Sequence, residues 1–351
     1  MLTNMKEINK VLIDSVYINS GGGKIILIEI INKLEKLKLL NIFFFLFDKR
    51  LEKNKEIPFE YLNHKFVLPK EQLRNKFYKE EIETFSSFVC LSNVPPPIFI
   101  SKPVHIFFHN DLLLHPFSSN LSLKKKVLNF LKKQYIISRN NKKYNWYVQS
   151  NLMYEKGIKY LRLNSSNLHI TPIFKEKKII YSDKELNSFL YVSNGSKHKN
   201  HKRLLMAFIK AANKTNCVLK LDLTLSDYEF INSPYSKTAT PKNLKIVNHG
   251  ILEFSRLEKV YQKTQFLIFP SLNESFGLPL IESINYNCKV LAPNLNYVNE
   301  VITPSIKFDP FSSSKISETI LSAITKKNIK HSKIIVENKI DTFVKYISNN
   351  V

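Results

Sequence analysis

Short apolar runs that stop abruptly at polar or turn-forming residues, each followed by helical periodicity, recur along the whole chain. This alternation restricts the fold more than any other feature. Val11-Leu12-Ile13-Asp14, Ile42–Phe47, Phe88–Leu91, Val104–Phe108 and Trp146–Ser150 mark the first half, and Phe189–Val192, Val218–Leu223, Leu244–Val247, Phe266–Phe269 and Lys289–Ala292 the second. Runs that are apolar without a two-residue alternation belong to strands buried on both faces, which is the condition of a parallel sheet covered by helices. Strand and helix alternate in this way twice over, so the pattern predicts an α/β chain of two doubly wound domains. At 351 residues the chain is long enough to give each domain its own core. Residues 172–188 lack periodicity and are expected to link the two. The expected division is 1–180, 181–335, and a C-terminal helix in 336–351 that returns toward the first domain.

The sharpest corner is Phe266 to Glu282. The run Phe266–Phe269 reads as a buried strand that Pro270 ends. A short loop carries Glu274, and Gly277 lets the backbone turn. Pro279 suits the first turn of a helix, where a missing N–H costs nothing. Two carboxylates, Glu274 and Glu282, therefore flank a strand–loop–helix corner with free backbone N–H groups, a place for an anionic or polyhydroxylated ligand. The same residues could equally complement a helix dipole and solvate a loop.

Three other strand ends carry polar residues. Gly21-Gly22-Gly23 follows the first strand and precedes a helix expected from Lys24. Its spacing matches neither the dinucleotide fingerprint nor a P-loop, but it allows close approach of a ligand to the backbone. His109-Asn110-Asp111 follows the strand Val104–Phe108, at the end where open α/β sheets bind ligands. Ser193 to His201 is a polar, basic loop before a helix at Lys202–Ala212.

The net charge is +24, of which +15 falls in residues 1–180 and +9 in 181–351. An anionic partner is implied: nucleic acid, an anionic membrane or phosphorylated substrates. Residues 121–160 hold ten Lys/Arg against one acid, and within them Leu123, Val127, Leu131 and Tyr135 recur every four residues. This basic amphipathic helix either lies on an anionic membrane or packs its stripe inward as an ordinary surface helix. No zinc-finger or RNA-recognition signature accompanies the charge. Cys90, Cys217 and Cys288 are too far apart to form a metal knuckle or a disulfide framework, which fits a reducing cytoplasm. No secretory h-region precedes Val11, and the apolar run Leu39–Phe47 is too short to span a bilayer.

Taken together, Pro270 to Glu282 with its E-x7-E spacing, His198-Lys199-Asn200-His201 after Phe189–Val192, Asn248-His249-Gly250, Tyr261 and Phe308-Asp309-Pro310 resemble the retaining glycosyltransferases of family 4 (glycosyl transferases group 1). The match is specific over roughly 189–310. The resemblance implies a GT-B fold, two Rossmann-like domains facing each other across a cleft. It implies a metal-independent hexosyl or glycosyltransferase with no cofactor, whose donor is a UDP- or GDP-linked sugar. The acceptor would be a glycan or lipid-linked acceptor of bacterial surface polysaccharide synthesis (lipopolysaccharide, O-antigen or capsule). The protein would be cytoplasmic, on the inner face of the plasma membrane, with no nucleic acid partner.

In site residues the resemblance implies His109 and Glu274 as catalytic. Gly22, Gly23, Asn194, Lys199, Phe276, Gly277, Leu278 and Glu282 would bind the donor, with no metal ligands. Glu282 would hold the ribose and Glu274 the sugar hydroxyls, while Lys199 would neutralise the diphosphate. Asn194 stands where the family usually has Arg. Tyr286-Asn287-Cys288 departs from the family's usual Cys-Gly-Thr, with Asn287 able to replace Gly in a left-handed cap. A non-catalytic sugar-nucleotide binder of the same fold, and a basic nucleic-acid-binding protein, are the alternatives.

Overall fold

The computed structural model describes residues 10–114 and 123–349, except for the side chain of Lys125. Residues 1–9, 115–122 (the first two of the basic stretch among them) and 350–351 lie outside the described residues. The chain divides into two compact units, 1–174 with 337–351, and 175–336. The boundaries expected from the sequence, 180/181 and 335/336, fall six residues later and one residue earlier than these.

The first unit is built on a parallel seven-stranded sheet. Its strands are β1 (Lys10–Ser15), β2 (Phe43–Asp48), β3 (His64–Val67), β4 (Phe85–Cys90), β5 (Val104–Phe107), β6 (Asn145–Val148) and β7 (Leu168–Ile170), in the order β3-β2-β1-β4-β5-β6-β7. The helices are α1 (Gly21–Lys36), α2 (Glu71–Glu81), α3 (Leu123–Arg139) and α4 (Asn151–Leu161). Because successive side chains on a strand point to opposite faces, β1 feeds two cores: Leu12 enters the one under Phe88 and Trp146, Val11 and Ile13 the one under Phe45 and Phe47. The closing helix Ile340–Ser348 belongs to this unit and completes the second core with Phe343, Val344 and Ile347. Phe343 packs edge-on against Tyr147 at 4.9 Å and Phe107 at 5.6 Å. Lys339 N–H to Pro172 O (2.8 Å) and Asn338 Nδ2 to Phe174 O (2.7 Å) bind the returning chain to the departing one.

The second unit repeats the plan with β8 (Glu185–Tyr191), β9 (Leu219–Leu223), β10 (Leu244–Asn248), β11 (Thr264–Ile268) and β12 (Lys289–Pro293). A small antiparallel pair follows from β13 (Ile302–Thr303) and β15 (Lys333–Ile334), and β14 (Ile306–Phe308) closes the parallel sheet in the order β10-β9-β8-β11-β12-β14. Its helices are α5 (His201–Ala212), α6 (Asp227–Ile231), α7 (Pro234–Lys237), α8 (Phe254–Lys263), α9 (Leu278–Asn285), α10 (Asn296–Asn299) and α11 (Ser313–Thr325). Asn287 adopts φ 58° after α9, the left-handed cap its residue type allows.

Three local expectations differ from the structure. The helix after the glycines begins at Gly21, not Lys24, so the glycines form its first turn. The short strands β3 and β7, of four and three residues, had no counterpart in the sequence reading. Most of the stripe on α3 does not pack inward: Leu123, Val127 and Leu131 are 74%, 44% and 57% exposed, and only Tyr135 is half-buried, its hydroxyl donating to Glu71. The inward positions are held instead by Ile136, which is fully buried, and by Lys133, whose ammonium donates to Leu114 O at 3.1 Å.

Candidate functional site

In each sheet the strand order reverses beside the first strand, between β1 and β4 in one unit and between β8 and β11 in the other. At such a switch point the loops leaving the two strands diverge and open a crevice beyond their carboxyl ends. The residues singled out in the sequence collect at these two places.

In the second unit the loop after β8 carries Lys199 and the loop after β11 carries Glu274. The two side chains meet, Lys199 Nζ to Glu274 Oε1 at 2.5 Å, each 13% exposed. Both loops are held by backbone contacts that fix this meeting. A 3-10 turn covers Lys197–Lys199, and Asn200 closes it at φ 64°. The Asn200 amide then donates to Pro310 O (2.8 Å) and Pro270 O (3.2 Å), while Leu272 N–H donates to His198 O (2.8 Å). Two buried phenols brace the pair of loops from below, Tyr191 to Lys199 O and Tyr297 to Ser271 O, both at 2.7 Å. Lys199 also stands over the Phe269 ring at 5.8 Å. A cation and a carboxylate shielded in this way are matched to ligands that carry phosphate and hydroxyl groups.

Downstream of Glu274 the side chains of Phe276 and Leu278 are buried, so these two positions can offer a ligand only their backbone groups. Gly277 has φ 90°, and a Cβ there would come within 3.1 Å of Leu280 Cδ1; the turn into α9 requires glycine. Glu282 lies in α9 at 5% exposure, and its Oε2 accepts from the buried Tyr261 hydroxyl at 2.9 Å. Burial, with the Glu282 carboxylate second, holds the Tyr261 phenol well above its usual pKa, so it stays a donor. Tyr261 stacks on Tyr286 at 5.7 Å.

Asn194 is not drawn to the Lys199–Glu274 pair by any contact. It is exposed, its Oδ1 accepts from Ser196 N–H (3.1 Å), and its carbonyl pairs with His201 Nε2 (2.8 Å). The same loop is anchored by Glu229, which accepts from Gly195 N–H at 2.9 Å and forms a capping box with Ser226. That residue escaped the sequence reading, although Ser-x-x-Glu is a legible cap signal.

In the first unit Gly23 and His109 come together. A Cβ at Gly23 would stand 3.0 Å from His109 Nε2, so any other residue would press the ring away from α1. Gly22 is exposed in the same first turn. Asn93 holds the histidine twice: its Oδ1 accepts from His109 N–H at 2.6 Å and its Nδ2 lies 3.2 Å from His109 Nε2. An amide NH2 can only donate, so Nε2 accepts and the ring proton sits on Nδ1. That Nδ1 is buried and has no hydrogen-bond partner among the described residues. Burial pushes the His109 pKa down to about 4, which leaves a neutral imidazole at pH 7. Asn93, in the left-handed region at φ 69°, was not singled out in the sequence. Tyr17, also left-handed at φ 83°, donates its hydroxyl to Glu71 at the start of α2 (2.6 Å) and its N–H to Asp48 at the end of β2 (3.2 Å).

Among the described residues no group of three His, Cys, Asp or Glu side chains is placed to hold a metal ion. Nor, among them, is any helix long and apolar enough to cross a membrane.

Residues 172–341 match the family model described as glycosyl transferases group 1. No curated protein matches the sequence. Among solved structures, the fold is similar to HepE from Anabaena, determined with UDP-glucose (TM-score 0.67, 12% identity, 90% of each chain covered). It is similar also to sucrose-phosphate synthase from Thermosynechococcus elongatus (TM-score 0.65, 14% identity, 89% of this chain and 88% of that one). A third is WaaG, a glycosyltransferase involved in lipopolysaccharide biosynthesis (TM-score 0.61, 14% identity, 90% of each chain). These likenesses establish two Rossmann-like α/β domains of the GT-B class. The match to the glycosyl transferases group 1 model lies almost wholly in the C-terminal unit, and the chain as a whole has the fold of these GT-B structures.

Proposed function

We propose that this protein is a retaining, metal-independent transferase of family 4 that moves a hexosyl unit from a UDP- or GDP-linked donor to a hydroxyl of a glycan or lipid-linked acceptor. The observation that carries the reading is the shielded Lys199–Glu274 pair at the switch point of the family-matching unit. In this reading the donor's diphosphate takes Lys199 from Glu274, and Glu274 turns to the sugar hydroxyls. Glu282, fixed by Tyr261, accepts from the ribose hydroxyls. Backbone N–H groups of Phe276, Gly277 and Leu278 meet sugar or phosphate oxygens at the start of α9. Asn194 offers its free Nδ2 to the diphosphate in place of a guanidinium. Gly22 leaves the exposed first turn of α1 open to a ligand, Gly23 lets the His109 ring stand beside it, and His109 supplies a neutral ring to the transfer.

Chemically, the bond between the anomeric carbon and the phosphate oxygen breaks as the acceptor oxygen bonds to that carbon from the same face. The acceptor proton passes to the departing phosphate oxygen, so configuration is kept and the nucleoside diphosphate leaves. Lys199 stabilises the charge that develops on that phosphate, a contribution of about 2.7–4 kcal/mol for a comparable preorganised donor.

A role in bacterial surface polysaccharide synthesis, on the cytoplasmic face of the plasma membrane, is supported by the likeness to WaaG and by α3. That helix turns Leu123, Val127, Leu128 and Leu131 to solvent beside the exposed Lys124 and Lys132, the arrangement of a helix that rests on an anionic bilayer. A panel of UDP- and GDP-sugars, read by nucleoside diphosphate release with a lipid-linked or oligosaccharide acceptor, tests the reading. Release from at least one donor is expected, and binding of donors without any transfer would instead favour the non-catalytic alternative.

A further inference from the structure

A second concavity lies at the opposite ends of the first unit's strands. The loop after α3 (140–144) leads into β6, and the loop after α4 (162–167) leads into β7, so both sit at the amino ends of adjacent parallel strands. Between them is a cavity of about 310 Å³, within the range of small-ligand pockets. Asn167 Nδ2 donates to Lys142 O at 2.7 Å and ties the loops together. Trp146 and Tyr144 contribute to the lining from below, at 2% and 3% exposure.

The polar lining is one-sided. Asn140 Oδ1 accepts from Trp146 Nε1 (3.0 Å), Asn141 Oδ1 from Lys143 N–H (2.9 Å), and Asn164 Oδ1 from Ser166 N–H (3.2 Å). Each of these partners can only donate, so the orientation of all three carboxamides is determined and their NH2 groups are left over. Arg162 and Lys142 line the same cavity, both exposed, and the side chain of neither has a hydrogen bond or ion pair with any described residue. Three amide donors, a guanidinium and an ammonium thus belong to the residues that line the cavity, with no carboxylate among them. Donors of this kind, gathered over an aromatic base, are complementary to a phosphate group attached to a small hydroxylated body.

The geometry points to an accessory binding site here for a glycerol-phosphate-like ligand, either a free phosphate ester or the headgroup of an anionic phospholipid. The site is separate from the switch point of its own sheet, because its loops lie at the amino ends of the strands while the Gly23–His109 contact lies at the carboxyl ends. It does not rest on the transferase reading.

Trp146 is the single tryptophan of the chain, and its indole is bonded to one of the lining amides, so its fluorescence reports on this cavity. The full-length protein is titrated with sn-glycerol 1-phosphate, following Trp146 emission and, in parallel, calorimetric heat. A saturable response in the millimolar range is expected, weakened at least tenfold in the Lys142→Gln/Arg162→Gly double variant. Glycine suits position 162, where the backbone is left-handed at φ 56°, so the fold is retained and unchanged thermal melting verifies it. Phosphatidylglycerol vesicles form the second arm, with phosphatidylcholine vesicles as control. Vesicle binding that falls in the double variant assigns the site to a lipid headgroup, and vesicle binding that does not, with the glycerol phosphate response lost, assigns it to a soluble ester. Absence of a saturable response to both probes, or an equal response in the double variant, overturns the proposal.

Discussion

Lys199 and Glu274 are 75 residues apart in sequence, yet their charged groups lie 2.5 Å apart and are largely shielded from solvent. Each was expected to contact a different part of a donor, and instead they contact each other. Removing one leaves the other charge uncompensated in a poorly hydrated place, which costs more than the pair contributes. Lys199→Met or Glu274→Gln is therefore expected to lower stability by about 1–3 kcal/mol, at the level of a buried polar group left without its partner. The double variant should recover much of that loss, because both charges are gone. Sugar transfer should stay at least 100-fold down in all three. Thermal melts beside donor turnover check this, and additive losses of stability would mean that the pair is not coupled.

Gly23 separates packing from propensity. Alanine in a helix is favoured over glycine by about 1 kcal/mol. Here the new Cβ would meet His109 Nε2 at 3.0 Å, and Asn93 holds that ring so that it cannot swing aside freely. Gly23→Ala is expected to change the melting temperature little, since the gain and the clash oppose, while lowering transfer at least tenfold. Wild-type turnover in that variant would remove His109 and the first turn of α1 from the account.

Acid should weaken the fold before the carboxylates titrate. Burial pushes His105 and His201 down to about 4. Their usual value is about 6.5, so the unfolded chain takes up protons between pH 6.5 and 4 that the native state refuses. The stabilisation from keeping them neutral is complete above 6.5 and is lost as pH falls through that window. Each contributes up to about 1.4 kcal/mol per pH unit. Urea midpoints at pH 7.0 and 5.0 measure this: the midpoint should fall, and less so in His105→Gln/His201→Asn. A midpoint that is the same at both pH values contradicts the buried, neutral state.

The exposed face of α3 predicts membrane binding that depends on both charge and apolar area. Val127→Ser/Leu131→Ser should leave the fold unperturbed, since both side chains are in solvent, and reduce binding to phosphatidylglycerol vesicles several-fold. Replacing Lys124 and Lys126 by glutamine should make the remaining binding less sensitive to salt. Cosedimentation that is indifferent to both changes would assign the stripe another partner.

The alternation of apolar runs and helical segments made the two α/β units legible, because a strand buried on both faces leaves an unmistakable run such as Phe43–Phe47. The edge strands β3 and β7 left no such mark: they are short, and one of them opens His-Lys. The residue types of the second unit's site were readable from Glu274, Glu282 and Lys199, but their pairing was not. It depends on the sheet placing β8 next to β11, with β9 and β10 on the other side. Asn93 was silent for the same reason, since it meets His109 only once β4 lies beside β5. Periodicity revealed the stripe on α3 but carries no information about which way a stripe faces. That was decided by what fills the inward positions, Ile136 and the Lys133 ammonium on Leu114 O.

The central claim is same-face sugar transfer that depends on the Lys199–Glu274 site. The most direct test is proton NMR of a reaction containing the protein, the best UDP- or GDP-sugar and an acceptor, with the metal chelator EDTA present. An α-linked donor should give an initial α-linked product in step with nucleoside diphosphate release, and Glu274→Gln should suppress both. A β-linked initial product, a requirement for divalent metal, or undiminished transfer by Glu274→Gln would contradict the account.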